Sequence, residues 1–205
     1  MVFPNQNVPP LFLASSSPQR RVLLEKAGFD FSWQAIPYEE DHTQGDSPRE
    51  LVEILCRHKM ATALANIPAN SVESSCVLCS DTMVAYGNTR LGKPENREQA
   101  EAYLRLLSGK THEVITGICL HIPEKIPTDS IHYADSVSLV RFRQLSEHDI
   151  RWYIDSNEWE GAAGAYRIQD RGACLIENLN GSWTGVMGLP LDVLYGMMSG
   201  LVGQV

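Results

Sequence analysis

The chain has 205 residues, 43% hydrophobic and 20% charged, and its 17 basic against 25 acidic residues leave a formal net charge of −8. This composition belongs to a soluble globular protein about one domain long and excludes a disordered or fibrous chain. The acidic balance excludes broad attachment to nucleic acid or to an anionic membrane, so any anion bound here must meet a local cluster of cations.

No stretch reaches the roughly 18–20 uninterrupted apolar residues of a membrane span. The opening MVFPNQNVPPLFLASSS lacks the basic region of a signal peptide, and its apolar run is short, so a cytoplasmic protein is expected. Five cysteines are an odd count without a small disulfide framework, which fits a reducing compartment. Cys76 and Cys79 form a C-x-x-C, but on a strand that spacing sends the two side chains to opposite faces, and they read as buried structural thiols.

In chain order, Leu11–Ala14 reads as a short apolar strand, followed by Ser17-Pro18 as N-cap and first helical position of a helix that stops at Gly28. Ser47-Pro48-Arg49-Glu50 combines an N-cap, a proline and a capping-box glutamate, and opens a long helix through Leu51, Ile54, Leu55 and Ala61. Cys76–Tyr86 predicts a strand, Gly87-Asn88 a turn and Thr89–Leu91 the returning strand. Asn96 with Gln99 caps a helix ending at Gly109. His112–Ile122 and His132–Phe142 predict strands, Ser146 with Asp149 opens a short helix, Cys174–Asn178 reads as a strand, and Pro190 begins the last helix. Several strand pairs lie too close in sequence for a crossover helix, so the expected fold is α/β with a mixed sheet.

Several residues stand out chemically. Arg20 and Arg21 occupy the first turn of the first helix, where the helix dipole is already positive. With the hydroxyls of Ser15 and Ser17 and free backbone N–H groups they make an anion site, unless both arginines simply point to water. Lys59 projects into the apolar stripe of its helix, and either snorkels or reaches into a cleft to meet an anion. Asp81 interrupts the apolar run CVLCSDTMVAY, where a carboxylate is costly unless paired, hydrogen-bonded or bound to metal. Glu39-Glu40-Asp41 is a second acidic cluster, and acids from two separated segments are what Mg²⁺ on a polyphosphate needs. Lys93 lies in the rigid turn Leu91-Gly92-Lys93-Pro94, which suits a fixed phosphate contact or an ordinary surface turn. Ser108-Gly109-Lys110-Thr111 ends like a Walker A loop, but Leu104 stands where that pattern needs Gly, and the order is helix then strand. The histidines show no H-E-x-x-H or zinc spacing, and no G-x-S-x-G elbow is present.

Seven ordered blocks resemble the Maf-type nucleoside triphosphate pyrophosphatases: LASSSPQR from Leu13 to Arg20, Lys59 on its helix, Ser80-Asp81-Thr82, Gly92-Lys93-Pro94, LSGKTH from Leu107 to His112, AGAY from Ala163 to Tyr166 with Ile168-Gln169, and Gly188-Leu189-Pro190-Leu191. The resemblance implies a single Maf-like domain over 1–205, a mixed twisted sheet with flanking helices, and two lobes around a deep cleft. It implies hydrolysis between the α- and β-phosphates of a nucleotide, dependent on Mg²⁺ or Mn²⁺, with a homodimer as a frequent assembly. By position it makes Asp81 the catalytic or metal-associated carboxylate, assisted by Glu40 and Asp41. It gives Arg20, Lys59 and Lys93 the triphosphate, with Ser15 against it, and links Gln19, Thr82 and Gln169 to base specificity. Thr82 and Gln169 resemble the branch acting on dTTP and UTP, with modified nucleotides as further candidates. Gln19 departs from the arginine usual there, and Ala162 stands where the family commonly has Lys. A second reading is a nucleotide-responsive regulator of septum formation, to which the family has been linked. An RNA-binding module is disfavoured by the net charge.

Overall fold

The computed structural model describes residues 9–38, 45–123 and 131–202. Its elements are β1 (Leu11–Ala14), α1 (Pro18–Ala27), β2 (Phe31–Gln34), α2 (Pro48–Asn66), α3 (Ala69–Ser74), β3 (Cys76–Tyr86), β4 (Thr89–Leu91), α4 (Arg97–Leu107), β5 (Thr111–His121), β6 (Ile131–Phe142), α5 (Glu147–Ile154), β7 (Ile176–Asn180), α6 (Trp183–Val186) and α7 (Leu191–Val202). Two 3₁₀ turns, Ala163–Ala165 and Arg171–Leu175, lie between α5 and β7.

Seven strands form one mixed sheet in the order β2-β1-β3-β5-β6-β7, with β4 added to β3. The two-residue turn between β3 and β4 forces an antiparallel pair, and the helical crossovers that join β1, β2 and β3 permit parallel ones. Helices separate β1, β2 and β3, which run parallel, whereas β3–β4, β3–β5, β5–β6 and β6–β7 are antiparallel. The two-residue turn at Gly87-Asn88 has Gly87 at φ 57, the left-handed backbone that glycine adopts without strain.

The apolar side chains gather at the two ends of the long strands, which gives the molecule its two lobes. In one lobe Val84, Leu104, Val114, Phe142 and Tyr153 pack β3, β5 and β6 against α4 and α5. In the other, Leu13, Leu24, Leu78, Ile118 and Leu194 bury β1, α1 and α7 against one face of the sheet, while Cys56, Met60, Cys79 and Cys119 pack α2 on the opposite face. Cys76 and Cys79 are both buried and unbridged, one in each of these clusters, as strand alternation requires. Among the described residues no helix is long and apolar enough to cross a membrane.

Three local features differ from the sequence reading. Cys174 and Leu175 close a 3₁₀ turn instead of opening a strand, because Arg143 N–H takes the Leu175 carbonyl and the Arg143 Nε–H takes that of Cys174. The strand itself starts at Ile176. The edge strand β2 and the short α3 were not read from the sequence: β2 alternates Phe31 and Trp33 with polar residues over only four positions, all at least partly exposed, and α3 buries none.

Candidate functional site

The topology opens a gap along one edge of β3. β1 pairs with β3 only from Cys76 to Leu78 and β4 only from Val84 to Tyr86, so neither covers the edge at Cys79–Met83. A cleft of about 1020 Å³ occupies this gap, outside the carboxyl ends of the parallel strands. That is where ligands bind in open α/β sheets.

The first wall is the start of α1. Ser17 stands at its N-cap, but its hydroxyl makes no capping bond. Side chains cap α2 from Ser47, α4 from Asn96 and α5 from Ser146, so α1 alone of these four turns an uncapped N-terminus, and with it the dipole, to the cleft. Ser15 Oγ accepts from Ser17 N–H at 3.2 Å and from Arg20 Nη1 at 3.1 Å, and Arg20 Nε donates to Gly188 O at 2.8 Å. Two anchors thus fix the guanidinium. Gly188 has φ 108, a backbone conformation that glycine adopts without strain. Arg21 does not join the site: its guanidinium stacks 3.8 Å from the Trp33 ring centroid. Of the two arginines only Arg20 therefore lines the cleft, because successive helical residues diverge by 100° and an aromatic face takes the second charge.

The second wall is β3 itself. Asp81 is 4% exposed and pairs with Lys59, whose side chain reaches from α2 across to the strand. Lys59 thus lines the cleft with its ammonium on Asp81. On the other face of β3, Ser80 Oγ donates to Gly188 O at 2.9 Å and Thr82 Oγ1 lies 3.0 Å from Thr116 Oγ1. Lys93 follows β4, in a turn whose Gly92 carbonyl accepts Gly164 N–H at 3.0 Å. Tyr166 and Gln169 form the far wall. The buried Tyr166 hydroxyl lies 2.9 Å from His112 Nε2, and burial lowers the His112 pKa to about 4, so His112 is a neutral support. Burial likewise pushes the Cys79 thiol up to about 12, which leaves it an inert packing group two residues from Asp81.

Ser15, Gln19, Arg20, Lys59, Asp81, Thr82, Lys93 and Gln169 all line this one cleft. Glu40 and Asp41 lie outside the described residues. Sequence reasoning missed Arg90 and Arg167, which also line it. Arg90 donates to Gly45 O at 2.6 Å, and Arg167 to Glu158 O at 2.8 Å and Glu160 O at 2.7 Å. Neither had a local signal, since an arginine on a short strand or in a loop normally faces water. The described lining carries five cations and two carboxylates, Asp81 and Glu95, and so is net positive in a chain of net charge −8. Among the described residues no group of three or more His, Cys, Asp or Glu is placed to hold a metal ion.

Fold and site together define an α/β protein with a cationic cleft at the ends of its parallel strands. The chain belongs to the Maf-like protein family, whose model matches residues 10–201. A relative named dTTP/UTP pyrophosphatase from Bdellovibrio bacteriovorus is 37% identical over 191 residues, covering 93% of this chain and 98% of its own. Relatives of the same name from Roseobacter denitrificans and Pyrococcus furiosus are 40% and 36% identical, covering 91% and 90% of this chain and 94% and 91% of theirs. Among solved structures, a HAM1 protein from Coxiella burnetii has a TM-score of 0.49 at 15% identity, covering 94% of this chain and 99% of that one.

Proposed function

We propose that the protein hydrolyses the α–β anhydride of dTTP and UTP, consuming water and releasing the nucleoside monophosphate and pyrophosphate. The observation that carries the reading is the convergence of Arg20, Lys59, Lys93 and Asp81, from four separate elements, on one cleft. A triphosphate bears about four negative charges, and a net positive cleft in an acidic protein offsets them. The relatives' names favour this reaction over a regulatory role in septation.

The uncapped α1 terminus and the anchored Arg20 receive the phosphate chain, with Lys59 and Lys93 reaching it from α2 and from the turn after β4. Such pre-set cations stabilise charge that builds on the phosphates as the anhydride breaks. Lys59 aims the Asp81 carboxylate, which orients the attacking water and takes its proton. Asp81 is also a hard oxygen donor at the cleft, and so fits the one carboxylate that Mg²⁺ or Mn²⁺ needs when phosphates and waters supply the rest. Bound there, the metal would neutralise phosphate charge and polarise the anhydride. We assign Glu40 and Asp41 to support the same ion. The reading further takes the protein to be cytoplasmic, where its five free thiols stay reduced, able to form a homodimer and without a nucleic-acid partner.

The test is product identity. Purified protein with Mg²⁺ and dTTP should release dTMP and pyrophosphate, and EDTA should stop it. Release of dTDP and orthophosphate would refute α–β cleavage.

A further inference from the structure

The hydroxyl groups around the cleft are wired with a direction. Thr116 is fully buried on β5, and its hydroxyl donates to Gly185 O at 2.8 Å. A threonine hydroxyl has a single proton, so Thr116 has none left for Thr82, 3.0 Å away. Thr82 is therefore the donor of that bond, and its proton points into the protein. What Thr82 turns to the cleft is an acceptor.

Ser15 is wired the other way. Its oxygen accepts from Ser17 N–H and from Arg20 Nη1, which leaves its proton for a bond into the cleft. A phosphate chain offers acceptors, so it matches Ser15 and is mismatched at Thr82. Thr82 consequently belongs to the end of the nucleotide that carries a donor. Resting on the function proposed above, the substrate base is thymine or uracil, whose ring in a nucleotide keeps one polar hydrogen, on N3; the sugar hydroxyls are the other donors, but they are the same in UTP and CTP, so the base alone can decide between those two.

We propose that Thr116 is a specificity-determining positioning residue: by taking the Thr82 proton it makes Thr82 an acceptor for a pyrimidine N3–H, and so excludes cytosine, whose N3 is itself an acceptor. A buried polar site built to bond one N–H rejects an analogue lacking it, because the site's own group is then left unpaired. The direct pairing of Thr82 with Thr116 across β3 and β5 sets the two hydroxyls side by side.

The experiment compares kcat/KM for UTP, CTP and 3-methyl-UTP in the wild type, Thr116→Val and Thr116→Ser. The wild type should favour UTP over both others by about tenfold or more. Thr116→Val keeps the shape but frees the Thr82 proton, so the UTP:CTP ratio should narrow roughly tenfold, and Thr116→Ser should restore it. A purely structural role for Thr116 would lower turnover of every nucleotide together and leave the ratio unmoved, which overturns the inference. Wild-type hydrolysis of 3-methyl-UTP as fast as UTP overturns it without any variant, so poor folding of Thr116→Val does not protect it. Failure to hydrolyse any triphosphate would instead bring down the function proposed above and this inference with it.

Discussion

His112 gives the fold a calculable sensitivity to acid. Its ring is 2% exposed, meets Phe142 and Tyr166 edge to face at 5.0 and 5.5 Å, and bonds the Tyr166 hydroxyl through Nε2, while its Nδ1 has no partner among the described residues. Burial places its folded-state pKa at about 4, below the ordinary 6.5. Above pH 6.5 the ring is neutral folded or unfolded, and its titration contributes nothing to the difference. As pH falls from 6.5 toward 4 the unfolded chain takes up a proton that the folded protein refuses, so stability is lost across that window. At pH 5 the loss from this one residue is about 2 kcal/mol. Urea unfolding at pH 7.5 and pH 5.0, for the wild type and for His112→Gln, isolates it, since the remaining histidines are common to both. The wild type should lose about 2 kcal/mol more than the variant. Equal losses would refute the reading of His112 as a neutral, buried support beneath Tyr166.

Arg20→Lys keeps the charge but cannot hold Ser15 Oγ and Gly188 O together while facing a substrate. Its KM for dTTP should rise by about tenfold with an unchanged melting temperature, measured by steady-state kinetics and thermal denaturation. In Gly117→Ala the new Cβ would sit 2.8 Å from Val52 Cγ1 and 2.9 Å from the Tyr133 ring, between β5 and α2. Overpacking of this kind costs about 1–3 kcal/mol. Thermal denaturation should register that loss, and because α2 carries Lys59, kcat should fall with it.

Much of this site was readable before folding because the odd residues are odd locally. Asp81 breaks an apolar strand, Lys59 breaks an apolar helix face, and each violation has the other as its structural resolution. Capping boxes likewise fixed the starts of α2, α4 and α5 to within a residue. What escaped depends on distant partners. The edge strand β2 exists because β1 supplies its hydrogen bonds, and Arg90 and Arg167 face the cleft because backbone carbonyls of Gly45, Glu158 and Glu160 hold them there. Arg21 shows the converse, a residue whose promise at the helix start is diverted by Trp33, twelve positions further along the chain. The direction of the Thr82 hydroxyl needs Thr116 and Gly185, and no run of sequence around Thr82 contains either.

The central claim is that Asp81, Lys59 and the cations around them form a single hydrolytic centre for a triphosphate. Pyrophosphate release from dTTP with Mg²⁺, measured side by side for the wild type and a folded Asp81→Asn variant, tests it most directly. The amide keeps the shape but loses the charge that faces Lys59 and the proton-accepting oxygen, so kcat should fall by about a hundredfold or more. An Asp81→Asn protein that releases pyrophosphate at the wild-type rate would contradict the account.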